Sequence, residues 1–186
     1  MLQPLNSALA TYMNLETRMI EAINNYLDLS SLLASDLTEM LDNEDASDGW
    51  KRNYIRVVAA LIEGDSFCFR EMSSIGLLCE FPAITAKERK ALESGIGFKA
   101  VEQIKLVLRA TYKMFSLGEA PDFSGNEWSD ANSFYNKRHA LMHPKSLTDL
   151  EIPSEEWAKI QSGANWLIKQ HFDITRLIHE KYIKSS

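Results

Sequence analysis

Few of the usual signposts of function are present in these 186 residues. No run approaches the roughly 18 consecutive apolar residues that cross a bilayer, so no membrane span is expected. Met1-Leu2-Gln3-Pro4 has neither a basic segment nor an apolar core behind it, so no secretory leader is expected. Only two cysteines occur, Cys68 and Cys79, eleven positions apart. On one helix that spacing is about three turns, roughly 16 Å, beyond the reach of a disulfide. They read as reduced core thiols, and the chain as cytoplasmic. No glycine-rich phosphate loop is present, because Gly95-Ile96-Gly97 lacks the remaining motif and a preceding strand. There is no Cys-x-x-Cys, no serine or cysteine in a recognisable nucleophile turn, no alternating strand pattern and no internal repeat.

What is there is helical. Apolar residues make up 45% and charged residues 25%, ordinary for a globular chain of one-domain size. Apolar spacing close to 3.6 runs through Leu5, Leu9, Tyr12, Leu15, Met19, Ile23 and Tyr26, and the segment Leu29–Leu41 continues or follows it. Residues 42–49 are polar and end in glycine, which predicts a loop. A long helix is predicted from Trp50 to about Glu80, stopped by Phe81-Pro82, with tight packing at Gly64. Thr85 and Glu88 have the spacing of a capping box for a short helix. Gly95 and Gly97 break the chain before a helix over Phe98–Leu117. A turn at Asp122–Gly125 precedes a helix over Glu127–Met142, and Ile152-Pro153-Ser154-Glu155-Glu156 opens the last one. The expectation is an all-α helical bundle of about five to seven helices.

Charge is uneven. Residues 1–48 hold nine acids against one base, Arg18, a net −8 within a chain of net −6, so the rest carries +2. An acidic extension, 1–48, therefore precedes a mildly basic body, 49–186. The overall sign argues against a large generic nucleic-acid surface and leaves room for a local positive site.

The chemistry concentrates in Asn136-Lys137-Arg138-His139-Ala140-Leu141-Met142-His143-Pro144-Lys145, with three cations and two of the four histidines. Arg138 and His143 are five apart, about 140° around an ideal helix. Pro144 disfavours the α conformation at His143, so the helix should end there and free His143 to swing towards Arg138. His139 and His143 are also i, i+4, a spacing that could hold a metal, but Ala140 stands where a zinc-protease helix has its glutamate. A third ligand would have to come from Glu63, Asp65 or His171. His171 and His179, on the last helix, read as surface or interface residues.

Arg138-His139-Ala140-Leu141-Met142-His143 resembles the Arg-x4-His motif of the HEPN superfamily, in which a polar residue commonly follows the arginine. The motif's place at a late helix end, before one more long helix, is similar too, as is the upstream helix around Arg56–Arg70. The resemblance covers about residues 50–183. It implies a helical bundle that dimerises and brings two motifs into one cleft. Many such proteins are metal-independent endoribonucleases of toxin–antitoxin, phage-defence or RNA-processing systems, and others only bind. It implies Arg138 and His143 as the catalytic pair, with His139 beside them, no metal or cofactor, and an antitoxin or regulatory protein as partner. RNA supplies its own nucleophile, the 2′-hydroxyl. Imidazoles can move the protons and a guanidinium can bind the phosphoryl oxygens. Lys137 and Lys145 flank the motif as substrate contacts. Lys105, Arg109 and Lys113, at i, i+4 and i+8, form a basic stripe that could grip phosphates or simply face solvent. Phe134 and Tyr135 read as core, with base stacking as the alternative.

Overall fold

The computed structural model of the chain describes residues 3–45, 47–78 and 84–183, with side chains described from residue 14 to residue 182 of these. Cys79 and the Phe81-Pro82 helix stop lie outside the described residues. Among the described residues six α-helices follow one another: α1 (Gln3–Asp42), α2 (Asp48–Leu77), α3 (Ala86–Glu93), α4 (Ala100–Met114), α5 (Asn126–Met142) and α6 (Ser154–Ile178). A 3₁₀ turn at Leu147–Leu150 joins α5 to α6, and a π turn at His179–Ile183 ends α6. Among the described residues there is no strand, and the chain is an all-α bundle.

Local signals set most of the boundaries. Ser47 caps α2 by accepting from the Trp50 backbone N–H at 3.1 Å, with Asp48 in the first turn. Thr85 and Glu88 form the expected capping box: the Thr85 N–H donates to Glu88 Oε2 at 2.8 Å and the Glu88 N–H to Thr85 Oγ1 at 3.2 Å. Gly95 and Gly97 take left-handed φ of 63° and 88°, which favours glycine in this turn. Pro153 sits one residue outside α6, as its N-cap, rather than within the first turn.

Helix α2 is the centre of the bundle and packs against α1, α3, α4, α5 and α6. Its spacing places Ile55, Val58, Ile62, Phe69 and Met72 inside, where they meet Leu108 of α4, Phe134 of α5 and Ile160, Leu167 and Ile174 of α6, all fully buried. Truncating one of the buried phenylalanines to alanine costs about 3–5 kcal/mol in cores of this kind. Most of the acidic segment forms one continuous helix, α1, laid along α2, while Asp48 opens α2 itself; Tyr26 and Leu37 of α1 belong to the same core. Gly64 of α2 makes the close approach possible: a Cβ there would lie 2.7 Å from Leu33 Cδ1. The α5–α6 crossing is tighter still. A Cβ on Gly163 would lie 2.2 Å from the Asp130 backbone oxygen.

Candidate functional site

Helix α5 carries the motif residues and ends at Met142. His143 leaves the α conformation at φ −134°, ψ 58°, while its N–H still donates to the His139 carbonyl at 3.1 Å. Pro144 is the local cause, since its ring disfavours α geometry at the residue before it. The two exposed imidazoles lie side by side, with ring centroids 5.1 Å apart and planes tilted by 55°. Arg138 goes elsewhere. Its Nη2 donates to Glu63 Oε2 on α2 at 2.8 Å, a charge-assisted bond between partly exposed groups. Among the described residues Arg138 and His143 share no hydrogen bond.

Arg138 lines two cavities. The first is a space of about 310 Å³ between α2 and α4, lined by Glu63, Ser66, Phe67, Arg70, Gln103 and Ile104 among others. The second, of about 460 Å³, is lined by Lys99, Val101, Tyr135, Asn136 and His139. The array thus runs from the first cavity through Arg138 to the second, then to His139 and on to His143.

Burial tunes the groups around Arg138. Desolvation raises the Glu63 carboxyl from its ordinary value, against the opposing charge and hydrogen bond of Arg138. Its Oε1 is buried and has no hydrogen-bond partner among the described residues. Tyr135 is buried beneath the site. Desolvation and the nearby Glu63 carboxylate push its phenol well up, with Arg138 opposing, so the ring stays protonated. Phe134 and Tyr135 are core residues.

The expected substrate contacts scatter. Lys137 turns inward and is buried. It donates to the Glu151 carbonyl and pairs with Glu156 at 3.5 Å, so it ties α5 to the start of α6 instead of facing a ligand. Lys145 is exposed just beyond α5, in a turn that Asp149 closes by accepting from its backbone N–H at 2.8 Å. Lys105, Arg109 and Lys113 do line one cavity, of about 560 Å³, but none of them borders either Arg138 cavity. Lys113 bonds the buried Glu88 at 2.8 Å, and Arg109 approaches it at 3.9 Å, so these two tie α4 to α3. Lys105 Nζ lies 5.3 Å and 5.5 Å from the ring centres of Phe123 and Trp128.

The metal alternative does not assemble. Among the described residues no group of three or more His, Cys, Asp and Glu side chains is placed to hold an ion. Glu63 is bound to Arg138. Asp65 is buried, pushed up to about 6 by desolvation against a hydrogen bond from Ser30 of α1. His171 corrects the surface reading most clearly: it is 2% exposed, stacked on Phe69. Its Nδ1 lies 2.8 Å from the Leu167 carbonyl, which can only accept, so Nδ1 carries the proton. Nε2 then accepts from Ser66 Oγ at 2.9 Å. Burial holds this imidazole down to about 4, so it is neutral near pH 7.

Sequence reasoning missed the pairing of Glu63 with Arg138 and the placing of Lys99 and Arg70 near it. The only available signal was helical phase: Glu63 and Arg70 are seven apart on α2, hence on one face. Comparison with family models, curated proteins and solved structures found no match for this chain.

Proposed function

We propose that this chain is a HEPN-like endoribonuclease, acting in the cytoplasm as a homodimer, with Arg138 and His143 at the scissile phosphodiester and His139 beside them. The observation that carries this reading is the continuous array at the end of α5. A partly exposed guanidinium borders a cavity that His139 also lines, and the His143 ring lies 5.1 Å beyond. Lys99 adds a second cation to that cavity. In the proposed reaction the 2′-oxygen attacks phosphorus and gives its proton to one imidazole. The bond from phosphorus to the 5′-oxygen breaks, and a second imidazole protonates that leaving oxygen. Arg138 holds the phosphoryl oxygens as charge builds on them. The products are a 2′,3′-cyclic phosphate and a 5′-hydroxyl. The partner subunit's copy of the motif would complete the acid–base pair.

Single-stranded RNA incubated with the full chain in the presence of a chelator tests this. The expected result is cleavage that disappears in both Arg138→Ala and His143→Ala. Undiminished cleavage by either variant would overturn the assignment.

The Glu63–Arg138 bond favours a second reading, a module of the same fold that binds without cleaving. A carboxylate already occupies part of the guanidinium that would stabilise the phosphoryl charge. RNA binding with no cleavage under any of these conditions would select it.

A further inference from the structure

Most of the cations that stood out in the sequence are already committed. Lys113 and Arg109 face Glu88, Lys105 lies over the Phe123 and Trp128 rings, and Lys137 is buried against Glu151 and Glu156. Lys99 differs. It is exposed, and its ammonium has no hydrogen bond, ion pair or ring contact among the described residues. It is the N-cap of α4 and lines the cavity of about 460 Å³ together with Ala100 and Val101. Another wall of that cavity belongs to α5, with Asn136, Arg138 and His139. Asn136 and His139 are exposed as well, and neither side chain has a hydrogen-bond partner among the described residues. Arg138 spends only Nη2 on Glu63, which lines the other cavity.

The sign of the ligand follows from this lining. It carries two cations and, among the described residues, no carboxylate, in a chain of net charge −6. Such a lining repels a metal ion from the neighbouring imidazole and draws an anion. Ala100 and Val101 open α4 and no side chain caps that turn, so the positive end of the helix adds to the same field. The space is well above the size of one phosphoryl group and lies within the range of small-ligand sites. The groups proposed for the scissile phosphate, Arg138, His139 and His143, all lie at the end of α5, whereas Lys99 comes from α4.

We propose that the cleft between the start of α4 and the end of α5 takes a second phosphate of the RNA strand, next to the one that is cut, with Lys99 as its positioning residue. The proposal deepens the ribonuclease reading and rests on it for the phosphate at Arg138. It makes the substrate an oligonucleotide with at least two phosphates, not a dinucleoside with one. Lys99 acts as a point charge on the neighbouring phosphate, and the Asn136 amide is a neutral donor beside it.

Calorimetric binding of the deoxydinucleotides d(TpA), d(pTpA) and d(TpAp) to the full chain tests this. They lack the 2′-hydroxyl, so binding is read without cleavage. At least one of the two phosphorylated forms should bind about tenfold tighter than d(TpA). Lys99→Gln should shrink that gain to less than about twofold, and Lys99→Arg should keep it. Lys99 is exposed and caps nothing with its side chain, so both variants should fold. Lys87→Gln, at an exposed lysine of α3 on neither Arg138 cavity, is the control for general charge and should keep the gain too. Equal binding of all three compounds, or none at millimolar concentration, would overturn the proposal. So would a gain that survives Lys99→Gln or is lost as fully in Lys87→Gln. The two readings fail separately. RNA cleavage without the phosphate gain would remove the second phosphate site and leave the nuclease. A gain that depends on Lys99, in a chain that cleaves no RNA, would do the reverse.

Discussion

Arg138 of α5 and Glu63 of α2, 75 positions apart in the chain, meet through a 2.8 Å hydrogen bond between Nη2 and Oε2. Their side chains are 24% and 36% exposed, so solvent screens the pair and its stabilising effect is modest. A double-mutant cycle with Glu63→Gln and Arg138→Gln should give a coupling of about 0.5–1 kcal/mol in chemical denaturation. A coupling above about 3 kcal/mol would mean that the pair is a structural strut and not an adjustable element of a site.

Asp65 is buried against α1 with its carboxyl pushed up to about 6, and Oδ1 has no partner among the described residues. Its folded value lies above the ordinary 3.8, so the native state holds the proton more tightly than the unfolded chain. Asp65 therefore costs nothing below about pH 4, and its penalty grows as pH rises through about 6. Asp65→Asn should be more stable than the native chain by roughly 3 kcal/mol at pH 7, a gain that vanishes near pH 4. Urea denaturation at the two pH values reads this directly. A variant less stable at pH 7 would show that the carboxylate is satisfied.

His171 has the opposite sign. Its folded value, about 4, lies below the ordinary 6.5, so the unfolded chain binds the proton more readily. Its contribution is complete above about pH 6.5 and is lost as pH falls through about 4, by roughly 3 kcal/mol in all. Compared with His171→Gln, the native chain should therefore lose its advantage progressively across that window. A pH-independent difference between the two would contradict a neutral, buried imidazole.

Gly163 is fixed by the α5–α6 crossing, where a Cβ would run into the Asp130 backbone. Gly163→Ala should destabilise by about 1–3 kcal/mol in spite of alanine's better helix propensity, because backbone cannot yield as a side chain does. Thermal melting checks this. Gly49, where the nearest atom to a Cβ is Ser47 Oγ at an ordinary contact distance of 3.6 Å, is the control position, and Gly49→Ala should leave the melting temperature nearly unchanged.

The helices and their ends were legible because their causes are local. Apolar period, the Thr85–Glu88 box, the left-handed glycines and Pro144 each act within a few residues. The site was legible only as a list of chemical types. Arg138, His139 and His143 stood out in the sequence, but which way each side chain turns depends on α2, α4 and α6. Lys137 looks like its neighbours in the motif. It is nonetheless buried, because the start of α6 brings Glu156 and the Glu151 carbonyl over its side of α5. His171 looks like any amphipathic-helix histidine until Ser66 and Phe69 arrive from a helix about a hundred residues earlier. The Glu63–Arg138 bond is of the same kind, a long-range contact with no periodic trace.

Ribonuclease action at the end of α5 requires activation of RNA's own 2′-hydroxyl there. A DNA oligonucleotide carrying a single ribonucleotide, incubated with the full chain in the presence of a chelator and analysed by mass spectrometry, reads that step most directly. The expected result is one cut, 3′ of the ribonucleotide, leaving a 2′,3′-cyclic phosphate and a 5′-hydroxyl, absent in His143→Ala and in the all-DNA control. Products ending in a 3′-hydroxyl and a 5′-phosphate, or no cut at all, would contradict it.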